Sequence, residues 1–259
     1  MRFGVVGDPV MHSRSPAIHS AGFDVMGIDA SFDHLPTPLH DFDTIEALLR
    51  SGELAGVSVT MSHKANAYAA VDVRTELAER TGAVNTITTR KGMLTGTNTD
   101  VAGVRFSVGV AGAEEGPVLV LGAGGAAAAA IVALEGRSLF VSARTETDAL
   151  NVLARTSIEG TVVPWSEGVA GSAVVNATPL GMHGEELPCN VLAVASAIID
   201  MAYGPSETQA CAYAAAKGLG HADGLDMLVG QAVEAFELFT GTEAPLDRFY
   251  ETARASTEL

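Results

Sequence analysis

The chain is short of positive charge. Only 15 Lys and Arg stand against 31 Asp and Glu in 259 residues, a net charge of −16. Such a field repels nucleic acid and anionic membranes, so neither is expected as a partner. Cysteine is scarce as well: Cys189 and Cys211 are the only two, and no metal-ligand spacing surrounds them. That excludes a disulfide framework and points to reduced thiols in a cytoplasmic protein. No apolar run approaches the roughly 20 residues needed to span a bilayer. The longest, Ala126–Leu134, reads as a soluble helix. There are no repeats, low-complexity tracts or long linkers. The opening, Arg2-Phe3-Gly4-Val5-Val6-Gly7, reads as a strand and not as a secretory leader.

What is present is apolar: 47% of residues are hydrophobic and 18% charged. A chain of this length can bury one large core or two small ones. The most informative stretch runs from Pro117 to Arg144. Pro117-Val118-Leu119-Val120-Leu121 is a strand pattern, and Gly122-Ala123-Gly124-Gly125-Ala126-Ala127 follows at once. A helix is expected from Ala128 to Glu135, stopping at Gly136, and a second strand at Ser138–Ser142. This is one strand–turn–helix–strand unit with a G-x-G-x-x-A turn at Gly122, Gly124 and Ala127. Gly122 permits the tight turn, Gly124 lets backbone approach a pyrophosphate, and the helix start supplies N–H donors and a positive dipole end. NAD sites usually carry an Asp or Glu about 20 residues on, for the ribose 2′-OH. Arg144 stands there instead, which suits a 2′-phosphate and therefore NADP.

Ahead of this unit the chain already alternates strand and helix. Strands are expected at Phe3–Val6, Ala30–Leu35 and Gly56–Thr60. Ser15 can cap a helix from Pro16 to about Met26. Asp43 and Glu46 form a capping-box-like start to a helix that stops at Gly52. Ligands in such sheets lie at the carboxyl ends of strands. Ser13 and Ser15, Thr60 to Lys64, and Asn85 with Thr86 fall at such ends. Lys64 opens a helix, where the dipole disfavours a cation, so a functional role is expected of it. His63 reads as a bystander. His12, His19, His34 and His40 read as surface or hydrogen-bonded residues. Asp100 leads a helix to Val110; it either caps that helix or pairs with Lys64 for proton transfer.

In the C-terminal half, Thr161–Val163, Ala173–Asn176 and Ala197–Asp200 read as strands buried on both faces. Ser206 can cap a helix to Lys217, after the break at Tyr203-Gly204-Pro205. Leu228, Val229, Ala232, Val233, Phe236 and Phe239 follow helical spacing in a long helix that ends at Gly241. Gln231 is the polar exception near its apolar face. Pro245 opens a last helix.

These motifs together resemble the shikimate dehydrogenase family, nearly end to end. His12-Ser13-Arg14-Ser15-Pro16 is similar to its substrate loop, and Val59-Thr60-Met61-Ser62-His63-Lys64 to its lysine motif. Ala83-Val84-Asn85-Thr86 and Asn98-Thr99-Asp100 are similar to its asparagine and aspartate motifs. Gly122–Ala126, Asn176–Met182, Asp200–Tyr203 and Asp223–Gln231 follow in the same order. The resemblance implies a fold of two α/β domains: a substrate domain of residues 1–101 with 226–259, and a Rossmann domain of residues 102–225, with a cleft between them. It implies Lys64 and Asp100 as the catalytic pair. Ser13, Ser15, Thr60, Asn85, Tyr203 and Gln231, with the catalytic pair, would hold substrate. Gly122, Ala123, Gly124, Gly125, Ala126, Arg144, Thr178, Met201 and Gly224 would hold NADP, and no metal is expected. The implied activity is reversible NADPH-dependent reduction of 3-dehydroshikimate to shikimate, on the route to chorismate and the aromatic amino acids, by a monomer or homodimer.

Two departures from the family stand out. Ser62 replaces its usual proline, and His63 its usual apolar residue or glycine. Beyond Arg144 the family carries another base, where this chain has Glu146 and Asp148. NAD therefore stays open as cofactor, and with it a quinate/shikimate dehydrogenase. A non-catalytic NADP-binding sensor of the same fold is the alternative from another class.

Overall fold

The computed structural model describes residues 1–60, 63–204 and 206–255. Met61, Ser62 and Pro205 lie outside the described residues, so the departure at Ser62 has no structural account here. The chain divides into two compact units, Met1–Thr99 with Gln231–Leu259, and Asp100–Gly230.

The first unit carries β1 (Arg2–Gly7), α1 (Ser15–Met26), β2 (Ser31–Pro36), α2 (Phe42–Ser51), β3 (Gly56–Val59), α3 (Lys64–Ala70), β4 (Val73–Arg74), α4 (Glu76–Thr81), β5 (Thr86–Arg90) and β6 (Met93–Thr97). The sheet order is β2-β1-β3-β5-β6-β4. β1 pairs in parallel with β2 and β3, while β5 runs antiparallel to both β3 and β6. One apolar cluster joins Val6, Val57 and Val59 of the sheet to Phe42, Ile45 and Leu49 of α2. An aromatic cluster, also in this unit, brings Phe3 within 5.7 Å of Phe23 and 4.9 Å of Phe239, between ring centroids.

The second unit holds α5 (Asp100–Val110), β7 (Val118–Leu121), α6 (Gly125–Ala133), β8 (Leu139–Ser142), α7 (Glu146–Thr156), β9 (Thr161–Val162), β10 (Ala173–Asn176), α8 (Cys189–Leu192), β11 (Ala197–Asp200), α9 (Gln209–Lys217) and β12 (Gly220–Ala222). Its sheet reads β12-β11-β10-β7-β8-β9, and every pairing is parallel. This is the doubly wound order, with the reversal between β7 and β10. Successive residues of β7 serve opposite faces. Val118 and Val120 pack with the alanines of α6, and Leu119 and Leu121 with Ala210 and Ala214 of α9. A strand covered on both faces must be apolar throughout, as its sequence is. α10 (Gly224–Thr240) begins in this unit and ends in the first, which α11 (Leu246–Arg254) completes.

Several local expectations are corrected. Ser15 is the first residue of α1 and not its cap; Arg14 holds that position, and its side chain makes no capping bond. The Asp43–Glu46 capping box does not form, because α2 starts at Phe42 behind Asp41, and Glu46 instead pairs with Arg50 at 2.8 Å. The cap of α9 is Thr208, whose hydroxyl accepts from the Cys211 N–H, and not Ser206. α6 spans Gly125–Ala133, starting and ending earlier than expected. His19 is neither exposed nor hydrogen-bonded: it is fully buried, and neither ring nitrogen has a partner among the described residues.

Candidate active site

In the first unit, polar residues gather at the carboxyl ends of β1 and β3. The Thr60 N–H donates to the Val6 carbonyl at 3.0 Å, which seats Thr60 beside the end of β1. The Ser13 hydroxyl donates to the Ser15 hydroxyl at 3.2 Å, and His34 Nε2 lies 2.9 Å from the Ser13 carbonyl. The serine loop is thus held from both its own helix and β2. Lys64 opens α3, half-buried, at the position the dipole disfavours. Its carbonyl accepts from the Val84 N–H at 3.3 Å, and the Asn85 carbonyl accepts from the Val59 N–H at 2.7 Å. These backbone bonds bring Thr60, Lys64 and Asn85 to one place.

Asn85 is buried and fully engaged on its acceptor side. Its Oδ1 accepts from the Thr99 N–H at 2.8 Å and from the Thr86 hydroxyl at 3.1 Å. Its Nδ2 donates to the Thr99 hydroxyl at 3.1 Å, and that hydroxyl lies 3.5 Å from Gln231 Oε1. Gln231, far away in sequence, therefore joins the same cluster. Of the other residues expected to hold substrate, Asp100 and Tyr203 belong to the second unit. Asp100 is buried as the first residue of α5. His63 is also buried, and its ring lies 6.3 Å from that of Phe42, a member of the core. It packs against the core.

The second unit contains a cavity of about 650 Å³ at the carboxyl ends of its strands, lined by Gly122, Ala123, Gly124, Ala143, Arg144, Asp148, Trp165 and the segment Ala177–Leu180. Gly122 has φ +119°, and a Cβ there would stand 2.8 Å from the Ala177 carbonyl oxygen. Only glycine satisfies both conditions. Gly124 has ordinary backbone (φ −80°), yet a Cβ there would meet nothing within 4 Å. Its bare face is the open approach to α6, whose N-terminus has no side-chain cap. A pyrophosphate fits this cradle: a turn without side chains, uncapped N–H donors and an exposed arginine at the end of β8. Gly125 and Ala126 form the first turn of α6, while Met201 and Gly224 are not among the residues lining the cavity. Met201 packs at the margin of the core, its N–H donating to the Asn176 carbonyl at 3.0 Å.

The sequence offered no sign of two further contributors. Arg155 Nη2 donates to the carbonyls of Ala123 and Gly124 at 3.3 and 3.1 Å, bracing the glycine turn from α7. Trp165, the chain's single tryptophan, lines both this cavity and an adjoining one of about 380 Å³ that also includes Arg144 and Glu146. Asp148 stands at the third position of α7, where its N–H donates to the Thr145 hydroxyl at 3.1 Å and its Oδ2 accepts from it at 2.7 Å. The carboxylate is therefore fixed at the cavity wall.

A parallel sheet in dinucleotide order with a glycine cradle, joined to a second α/β unit bearing a lysine-centred polar cluster, defines a dinucleotide-binding protein of the dehydrogenase type. Comparison with known proteins is specific. The shikimate dehydrogenase substrate binding domain matches residues 5–87, and the shikimate 5′-dehydrogenase C-terminal domain matches residues 224–254. Shikimate dehydrogenase (NADP(+)) of Methylobacterium radiotolerans is 39% identical over 92% of this chain and 90% of its own. That of Halorubrum lacusprofundi is 39% identical over 99% of both. The crystal structure of shikimate 5-dehydrogenase from Thermus thermophilus, in complex with NADP(H) and shikimate, superposes with a TM-score of 0.90 at 34% identity, covering 98% of each chain. The chain belongs to the shikimate dehydrogenase family.

Proposed function

We propose that this protein is an NADP-linked shikimate dehydrogenase, which interconverts 3-dehydroshikimate and shikimate on the route to chorismate and the aromatic amino acids. The observation that carries the reading is Lys64, held at the start of α3 with its carbonyl bonded to Val84, next to Thr60 and Asn85. A lysine among hydroxyl and amide groups suits a carbonyl flanked by ring hydroxyls. Residues 1–101 with 226–259 serve as the substrate domain and residues 102–225 as the dinucleotide domain.

When bound, the reduced nicotinamide supplies the hydride. Everything else is the work of this chain's own side chains and backbone donors. Lys64 gives the proton that the developing alkoxide takes up, or holds that alkoxide as a cation, and Asp100 orients substrate and amine. Ser13, Ser15, Thr60, Asn85, Tyr203 and Gln231 hold the ring hydroxyls and the carboxylate. Because the chain carries a net −16, anionic ligands must be held by local donors and dipoles and not by the overall field. Gly122, Ala123, Gly124, Gly125 and Ala126 hold the pyrophosphate, Arg144 the 2′-phosphate, and Thr178, Met201 and Gly224 the remainder of the cofactor. The expected lack of nucleic-acid and membrane partners accords with the charge, and a cytoplasmic monomer or homodimer belongs to the same proposal. No described helix is long and apolar enough to cross a membrane.

One observation favours a second reading. Asp148 faces the same cavity as Arg144, where the 2′-phosphate would lie. A quinate/shikimate dehydrogenase that accepts NAD would tolerate that carboxylate better. The nicotinamide absorbance assay decides, with shikimate and quinate each offered with NADP and with NAD. Turnover concentrated on shikimate with NADP supports the main reading. Comparable kcat/KM with quinate or NAD moves the protein to the second.

A further inference from the structure

Asp200 ends β11 with no solvent exposure and no cationic neighbour among the ion pairs of the described residues. Three donors meet it: Asn176 Nδ2 at 2.8 Å and the Ala202 N–H at 3.1 Å on Oδ1, and the Thr208 hydroxyl at 2.6 Å on Oδ2. Burial raises its carboxyl above the usual carboxylate range, with the charge of Asp223 adding to the rise, and these three bonds offset only part of it. Burying a carboxylate without a cation is costly, so its retention asks for a use.

The use follows from Asn176, its register partner across β10 and β11. Asn176 turns its amide nitrogen toward Asp200, whose Oδ1 accepts from it. The same nitrogen also donates to the Leu180 carbonyl at 2.9 Å. The amide oxygen is thereby turned to Thr178, accepting from its N–H at 3.1 Å and its hydroxyl at 2.6 Å. The Thr178 hydroxyl in turn accepts from the Leu180 N–H at 3.2 Å. Asp200 and the Leu180 carbonyl together thus hold the Asn176 amide, which in turn holds Thr178, and the segment Ala177–Leu180 forms one wall of the dinucleotide cavity. Arg144 stands on the β8 side of β7, whereas Asn176 ends β10, on the other side of the strand-order reversal. A dinucleotide lies across that reversal, so the β10 side takes the half away from the 2′-phosphate.

We propose that Asp200 is a positioning residue for the nicotinamide half of the cofactor, acting through Asn176 on the Thr178–Leu180 wall. The inference rests on the dinucleotide reading above. Its test is a pair of binding measurements on the full chain: NADPH by nicotinamide fluorescence, and adenosine 2′,5′-bisphosphate, which lacks the nicotinamide half, by calorimetry. Asp200→Ala is expected to weaken NADPH by about tenfold or more while the bisphosphate stays within about twofold of wild type, the size of effect a misplaced contact produces. Asp200→Asn is expected to recover most of the loss, because its oxygen can still face Asn176 and the Thr208 hydroxyl can turn to accept from its nitrogen. Should Asp200→Ala fail to fold, Asn176→Ala breaks the same relay and carries the same expectation. Parallel loss of both ligands, loss of neither, or an Asp200→Asn no better than Asp200→Ala overturns the proposal. A wild type that binds neither probe overturns the dinucleotide reading itself.

Discussion

The imidazole of His19 lies flat on the ring of Phe32, with centroids 4.2 Å apart and planes 7° from parallel. Phe23, Phe236, Phe239 and Phe249 surround it, with ring centroids 5.8 to 6.4 Å away. Burial lowers its pKa from 6.5 to about 3. The unfolded chain therefore binds a proton that the folded one refuses between those values. Stability from this residue is complete above pH 6.5 and is lost as the pH falls toward 3. The slope is about 1.4 kcal/mol per pH unit from this one group. His19→Leu keeps the volume and removes two unpartnered nitrogens. It should raise unfolding stability by about 1–2 kcal/mol at neutral pH and flatten the decline below 6.5. Urea unfolding at pH 7 and pH 5 checks both; an unchanged pH dependence contradicts the assignment.

Arg144 and Asp148 line one cavity with opposite charges. Replacing Asp148 by Asn keeps its backbone cap to Thr145 and removes the repulsion from a 2′-phosphate. KM for NADP should fall by roughly fivefold, about 1 kcal/mol for one partly screened charge, with KM for NAD little changed. The gain should shrink at high salt. Equal gains with both cofactors would place Asp148 away from the 2′-phosphate.

Gly122 and Gly124 should respond differently to the same added methyl. Gly122→Ala forces an alanine to φ +119° against the Ala177 carbonyl, so the melting temperature should drop, at a cost of about 1–3 kcal/mol. Gly124→Ala meets no atom within 4 Å and should melt like wild type, yet NADPH should bind it more weakly because the methyl enters the cradle. Thermal melts and NADPH titration of both variants separate fold from site.

The sequence revealed these elements unevenly, for physical reasons. β10 and β11 were legible to the residue because strands buried on both faces are apolar without interruption. α10 was legible because its stripe, Leu228 to Phe239, runs at helical spacing over about three turns. β5, with Thr86, Thr88 and Thr89, alternates too weakly to announce a strand, and the Lys91–Gly92 turn that pairs it with β6 does not stand out either. Ser206 and Thr208 are equally able caps; packing of Ala210, Cys211 and Ala214 against the core selects the latter. His19 lies on the buried face that includes Ser15, Ile18, Gly22 and Phe23, so its burial could have been read, although the missing partners could not. In the site, local motifs pointed to Ser13, Lys64, Asn85 and the glycine turn. Asn85 and Gln231 were brought together only by the family resemblance, and the Thr99 hydroxyl that links them, 132 positions from Gln231, was not legible from local pattern. Nor was Arg155, since nothing in its own segment distinguishes a helix-end arginine bonded to the glycine turn from a solvated one.

The most direct test of the central claim is steady-state turnover of Lys64→Ala with shikimate and NADP, alongside NADPH affinity. The account predicts a kcat lower by about a hundredfold or more, as removal of a general acid–base group entails, with NADPH affinity unchanged. Turnover like wild type would remove Lys64 from the chemistry and overturn the account.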